Sequence, residues 1–380
     1  MPSLPLPSVF KSSVDWVALT AALALCVLGL LTMNSFLEGD PFFTRQIAWI
    51  VIGVLLFFVA SSINWRFLRG SGVAVSIFAI LLVPLLLLIL FGHTTRGARG
   101  WFDLGPFALQ PAEFIKLGLI IVLAKYFSRR HIEIGNFKHI LVSGAYTALV
   151  FALVALQPDF GSAIIVALVW LGMVLVSGIS RTHLFAVLAL GLALLGGLWF
   201  FGFEEYQKQR IMTFVAPTDI LGAGYNAYQS TVAVGSGQFF GKGIGYGTQS
   251  KLRFLPEYQS DFIFAAFAEE WGFVGITIVF SLYGILFVRI LSVATRGATN
   301  FETLFALGVL SYFVAHFTLH VGINLGVLPV TGTTIPFMSY GGSHILAEFL
   351  ALGMLSGMNR YARAAHRDAL EQEFSGGYDR

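Results

Sequence analysis

The chain has 380 residues, 57% of them hydrophobic and 11% charged, where an average soluble chain is about 25% charged. With a mean hydropathy of +0.80, it carries more apolar surface than a soluble domain of this length can hide, so the solvent for most of it is lipid. Its net charge of +3 is too small and too scattered for a nucleic-acid partner.

Apolar runs near the roughly 17–25 residues that cross a bilayer fall, in chain order, at 14–36, 44–63, 71–92, 111–127, 139–157, 160–178, 182–202, 262–289, 301–328 and 343–359. This predicts an all-α polytopic membrane protein, a single domain over residues 1–380, with ten transmembrane helices. The first run is too long for the core of a cleaved signal and stays as a helix. It holds the one cysteine, Cys26, which has no intrachain partner and reads as a small buried hydrophobe.

Orientation follows from Lys and Arg. With the N-terminus cytoplasmic, the inner segments hold fourteen cations: Lys11, Arg66, Arg69, Lys125, Arg129, Arg130, Lys138, Arg181, Arg289, Arg296, Arg360, Arg363, Arg367 and Arg380. The short outer loops hold three, Arg45, Arg96 and Arg99. Both termini are therefore expected in the cytoplasm. The outer segments 93–110, 203–260 and 329–342 are longer and richer in Gly, Pro and aromatic residues. The largest, between helices seven and eight, is too apolar to be disordered and reads as short amphipathic pieces along the outer membrane boundary.

Candidate chemistry gathers on that face. In GARGWFDLGPFALQPAEFIKL (97–117), Pro111 suits a first helical turn, and Glu113 and Lys116 follow at i, i+3 on one face. The two are a structural pair, or Lys116 is a cation for a pyrophosphate with Glu113 holding it. Trp101 is an interfacial anchor or a platform for a sugar. Asp159, after Gln157 and Pro158, sits at the outer boundary as a helix cap or as something more. The glycines of GSGQFFGKGIGYGTQ (235–249) lack the spacing and strand context of a phosphate loop, so nucleotide binding is excluded and a surface loop with tight turns remains.

The stretch FLPEYQSDFIFAAFAEEWGFVG (254–275) carries Glu257, Asp261, Glu269 and Glu270. Asp261 reads as a helix N-cap, alone or combined with a catalytic role. A helix from Asp261 to Arg289 is about 43 Å long against a hydrocarbon core of roughly 30 Å, so its first turns would stand in a protein-lined outer vestibule. A carboxylate in such low-dielectric surroundings has the raised pKa that a general base needs. PVTGTTIPFMSYGGSH (329–344) is broken by Pro329, Pro336, Gly341 and Gly342 and reads as re-entrant. His316 and His320 lie at i, i+4 with no third ligand evident, and read as packed core histidines.

Taken together, QPAEFIK (110–116), QPDFGSA (157–163), GYNAYQS (224–230), GSGQFFGKGIGYGTQ (235–249), LPEYQSDFIFAAFAEEWG (255–272) and PVTGTTIPFMSYGGS (329–343) resemble, in order, the motifs of the SEDS family (shape, elongation, division and sporulation). GTQSKLRFLPE and the short tails look more like its elongation branch than its division branch. The resemblance implies a peptidoglycan glycosyltransferase of the bacterial inner membrane, which polymerises lipid II at its periplasmic face and releases undecaprenyl diphosphate. It assigns the catalytic acid to Asp261 and substrate contacts to Glu113, Lys116 and Asp159. Gln229 in GYNAYQS and Ser260 join the expected substrate-binding set. The expected partners are a class B penicillin-binding protein and other membrane proteins of the elongation complex. Two departures stand out: Tyr258-Gln259-Ser260 replaces a commoner pattern but keeps a hydroxyl, and Gly100 leaves the basic role before Trp101 to Arg99 or Arg96.

The expected mechanism has Asp261 take the proton of a sugar 4-hydroxyl as that oxygen attacks an anomeric carbon. Lys116, Arg45 and Arg210 lie on the correct face to meet the departing diphosphate. A divalent ion, Mg or Mn, could share that task, although no metal cluster is evident from spacing. The rival reading is a transporter for the same lipid, which would need polar residues distributed along a crossing path. Here they gather at the outer end.

Overall fold

The computed structural model describes residues 14–35, 41–91, 100–103, 105, 108–130, 137–216, 224–252 and 254–375. Lys11 and Arg380, which entered the orientation count, and the candidates Arg96 and Arg99 lie outside them. Ten long helices coincide with the ten expected runs: α1 (Trp16–Asn34), α2 (Pro41–Ser62), α3 (Ser71–Phe91), α4 (Pro111–Arg130), α5 (Phe137–Ala155), α6 (Phe160–Val176), α7 (Arg181–Phe201), α11 (Ile263–Thr295), α12 (Asn300–Asn324) and α13 (Gly342–Ser375). Between α7 and α11 lie three short helices, α8 (Glu205–Val215), α9 (Tyr225–Ser236) and α10 (Thr248–Lys251). A two-residue hairpin, β1 (Phe102–Asp103) with β2 (Ala108–Leu109), precedes α4.

Seven helices (α1, α2, α3, α5, α7, α11 and α12) are long and apolar enough to cross a membrane, and α6 is a shorter apolar helix. The charges of α4 and α13 lower their hydropathy, yet both helices are internal. α13 packs along α2, α1 along α11, and α12 against α4, α6 and α11. From Pro111 to Ala124 α4 is buried almost throughout, so the polar residues near its start face other helices rather than lipid. By contrast, Val187 is the one buried residue of α7, which presents its apolar surface outward. α11 and α13 run past the expected ends at residues 289 and 359. Arg289 is held inside α11 by Asp15, 2.9 Å away, which itself caps α1 by accepting from Ala18 N.

The glycine-rich loop is fastened to α11 by the two acids that stood unexplained in the sequence. Glu269 receives Lys242 Nζ at 2.7 Å, Thr248 N at 2.9 Å and Gln249 N at 3.2 Å. Glu270 receives Gly245 N at 2.6 Å. The loop's own Lys242 N and Gly243 N donate to the carbonyls of these same two residues, each at 3.0 Å. Helical geometry breaks at Gly272 (φ 62), where the backbone N of Gly241 fills the space that a side chain would need. The loop's tight turns therefore serve docking.

Candidate active site at one end of the bundle

Asp261 is placed by a turn and by α12. Glu257 adopts a left-handed conformation (φ 52), and its carbonyl accepts from Ser260 N, Asp261 N and Phe262 N at 3.1, 3.1 and 3.3 Å. Leu255, Tyr258 and Phe262 anchor this turn in a small apolar cluster with Ala233, Ala265, Ala266 and Ile323. The helix starts at Ile263 with Phe262 in the cap position and no side-chain cap of its own. Asp261 is thus not the N-cap that the sequence suggested. Asn324, at the end of α12, takes over: its Oδ1 accepts from Ala265 N at 3.0 Å, and its Nδ2 donates to Asp261 O at 3.0 Å and to His320 O at 2.8 Å. An orphan amide of the first turn is satisfied from another helix, and Asp261 is left partly exposed at its end.

The irregular stretch 331–341 threads through this end and ties the helices together. Its backbone groups are met by side chains, as non-helical backbone at membrane depth requires. Ile335 N donates to Ser339 Oγ at 2.9 Å and Phe337 N to Glu348 Oε2 at 2.8 Å, and Tyr283 donates its hydroxyl hydrogen to Pro336 O. Gln46 of α2 donates to Ser339 O and accepts from Gly341 N, at 3.0 and 3.2 Å. Ser339 Oγ donates to Ser260 O at 2.8 Å, and Tyr340 N donates to Gln259 O at 2.8 Å, so the stretch braces the turn that carries Asp261. Gly332 (φ 71) faces Asp261 directly: a Cβ there would lie 3.3 Å from Asp261 Oδ2. On the other side, the first turn of α6 lies close enough that a Cβ at Gly161 would meet the carbonyl oxygens of Thr331 and Gly332 at 3.0 Å.

Asp159 caps α6, accepting from Ser162 N at 3.0 Å through one oxygen and from Gln110 Nε2 at 2.9 Å through the other. Burial pushes its carboxyl above the usual carboxylate range, with the Ser162 bonds and the Lys116 charge pulling the other way. Gln110 N donates to Ser343 Oγ at 2.8 Å, which closes the starts of α4, α6 and α13 onto one another. Trp101 is half-buried beside this end, since a Cβ on the preceding Gly100 would lie 3.8 Å from Gln110 Nε2.

One turn further in, Glu113 and Lys116 are both buried and paired at 2.7 Å, as their spacing predicts. They are not alone. Lys116 Nζ lies 3.3 Å from His316 Nε2, and Glu113 Oε2 lies 3.0 Å from His344 Nδ1 and 3.3 Å from the hydroxyl of Tyr312. His344 Nε2 reaches Glu348 Oε1 at 2.7 Å. His316 and His320 do not pair with each other: the first turns to Lys116 and Thr334 O, the second to Thr333 O at 2.7 Å. Ser260, Asp261, Asp159, Glu113 and Lys116 therefore meet around residues 331–343. Arg45 and Arg210 are exposed on α2 and α8, and Gln229 is half-buried on α9. Among the described residues, no hydrogen bond or ion pair draws Arg45 or Gln229 into the group.

Sequence reading missed Gln46, Asn324, His344 and Glu348. Each is a polar residue inside an apolar run, a signal that marks function or a buried partner by default.

A family model described as a cell cycle protein family, FtsW/RodA/SpoVE, matches residues 13–364. The chain belongs to this family. It is similar to peptidoglycan glycosyltransferase MrdB of Escherichia coli (36% identical over 358 residues, 93% of this chain and 95% of that one). It also resembles stage V sporulation protein E of Bacillus subtilis (33% over 364 residues, 93% and 99%) and peptidoglycan glycosyltransferase RodA of Treponema pallidum (30% over 426 residues, 92% and 98%). Among solved structures, the rod shape determining protein RodA of Thermus thermophilus aligns with a TM-score of 0.69 at 29% identity (92% and 97%). A chain of a peptidoglycan synthase complex that coordinates polymerization and crosslinking aligns with a TM-score of 0.79 at 30% identity (92% and 98%). As a FtsW/RodA/SpoVE protein similar to peptidoglycan glycosyltransferases over nearly its whole length, the chain is a glycosyltransferase of cell-wall synthesis and a multi-pass membrane protein.

Proposed function

We propose that this glycosyltransferase polymerises lipid II into glycan strands during cell elongation, with Asp261 as the general base. The observation that carries the reading is the placement of Asp261. The side-chain capping bond at the start of α11 comes from Asn324, while Asp261 sits partly exposed against Gly332, at the same end of the bundle as Asp159, Glu113 and Lys116. In this mechanism the acceptor's 4-hydroxyl gives its proton to Asp261, its oxygen bonds to the donor's anomeric carbon, and the bond to the diphosphate breaks. One displacement inverts that carbon, with no covalent glycosyl-enzyme. Asp159, Trp101, Gln229 and Ser260 contact the sugars, and Arg45 and Arg210 meet the leaving diphosphate with Lys116 behind them. A Mg or Mn ion carried in with the diphosphate would share that charge.

The accompanying topology has ten spans, both termini in the cytoplasm and the Asp261 end facing the periplasm. Segment 203–260 is the large outer connection. The partner is a class B penicillin-binding protein that crosslinks the strands, in keeping with the synthase complex to which the chain is similar. The test is the purified protein, with and without that partner, given labelled lipid II in detergent and in vesicles. Polymer with release of undecaprenyl diphosphate is expected. Movement of intact lipid II between leaflets without any polymer would replace this reading with transport.

A further inference from the structure

The buried cluster one turn inside the site is built like a coordination sphere, whichever polar substrate the outer end handles. A carboxylate oxygen of Glu113, one nitrogen of His316 and one of His344 lie within 4.8 Å of one another, all three residues being buried. Ligand histidines in metal sites have their other ring nitrogen oriented by a carboxylate or a backbone carbonyl. His316 meets that condition through a backbone carbonyl, and His344 has a carboxylate within ion-pair distance of its other nitrogen. His316 presents Nε2 to the cluster while Nδ1 lies 3.1 Å from Thr334 O. His344 presents Nδ1 while Nε2 lies 2.7 Å from Glu348 Oε1. The contact of Glu348 with Phe337 N, at 2.8 Å, fixes that outer carboxylate in turn.

A cation already occupies the middle: Lys116 Nζ sits 2.7 Å from Glu113 Oε1 and 3.3 Å from His316 Nε2. We propose that Glu113, His316 and His344 form a site for a divalent transition metal of the zinc type, which binds as the ammonium of Lys116 gives up its proton to solvent and its neutral amine turns out of the cluster. Two imidazoles and one carboxylate are the donor set of zinc and its borderline neighbours, whereas magnesium and calcium take oxygen alone. Two buried carboxylates, Glu113 and Glu348, balance a dication. Bonds of about 2.0–2.1 Å draw tetrahedral ligand atoms to roughly 3.4 Å apart, a closure that modest side-chain rotation supplies. Three protein ligands leave a fourth position for water. The cluster lies near the starts of α4 and α13.

Neither the proposal nor its test depends on the polymerase reading, because the readout is the metal. Full-length protein in detergent, freed of any polyhistidine tag, is loaded with Co2+ or Zn2+, dialysed, and measured by visible absorption and elemental analysis. The expected result is a tetrahedral cobalt spectrum and about one ion per chain. Each of His316→Ala and His344→Ala should abolish it, and Glu348→Gln should weaken affinity about 10–100-fold. Lys116→Met, which removes the competing ammonium, should bind at least as tightly as the wild type, and His183→Ala should be unaffected. Wild-type protein that retains no ion overturns the proposal, as does full retention by a His316→Ala, His344→Ala double variant. Should the alanine variants fail to fold, wild type, His344→Asn and Glu348→Gln decide it alone, and affinity unchanged in both variants overturns the proposal.

Discussion

Gly332 is where sterics bear most directly on the chemistry. Its φ of 71 and the 3.3 Å from its missing Cβ to Asp261 Oδ2 mean that Gly332→Ala adds both strain and a push on the carboxylate. The left-handed conformation costs about 1–2 kcal/mol with a side chain. A shift of about 1 Å at a reacting group costs on the order of 100-fold in rate. Polymerisation by Gly332→Ala should fall by roughly 10–100-fold while the protein still folds, as judged by its melting temperature and elution profile. The Glu113–Lys116 pair behaves differently. Removing one partner of a buried pair leaves a lone charge and costs roughly 3–5 kcal/mol, so Lys116→Met should lower the melting temperature sharply. A Glu113→Gln, Lys116→Met double variant should recover part of that loss. This pair was legible in the sequence because i, i+3 spacing fixes which helical residues share a face. His344 was not, because its partner Glu113 lies 231 positions away and no local pattern joins them.

Between elements, the same chemistry works as fastening. Glu269 and Glu270 stood out as acids at the head of an apolar span, and their place on a helix was readable. Their partners were not, since Lys242, Gly245 and Thr248 belong to a loop whose path depends on the break at Gly272. Glu269 is buried and accepts several N–H groups, while Lys242 is half-exposed. Glu269→Gln should therefore raise hydrogen exchange across 242–249 markedly, and Lys242→Ala should do so less, because water screens and replaces a partly exposed ammonium. The capping of α11 carries the same lesson. The residue before a helix is ordinarily its cap, but here Asn324 caps from another helix, and no single-helix rule anticipates that.

Across the whole molecule, each long helix among the described residues falls on an apolar run of the sequence, because a helix that crosses lipid needs about 20 apolar residues. Hydropathy could not order them in space, nor show that α4, with its charges, is internal while the mostly apolar α7 is peripheral. The orientation drawn from Lys and Arg gives a labelling prediction. Lys251→Cys, exposed between α7 and α11, should react with an impermeant maleimide added outside intact cells. Arg296→Cys, exposed at the far end of α11, should react only after the membrane is opened. The native Cys26 is buried and should give little background.

At the centre of the account stands proton removal by one carboxylate. The most direct measurement is the rate of glycan polymerisation from labelled lipid II by purified Asp261→Asn against wild type, in proteins shown to have equal melting temperatures. A general base contributes on the order of 100- to 10,000-fold, so the asparagine variant should bind the substrate yet polymerise at least about 100-fold more slowly. Polymer made by Asp261→Asn at the wild-type rate would contradict the account.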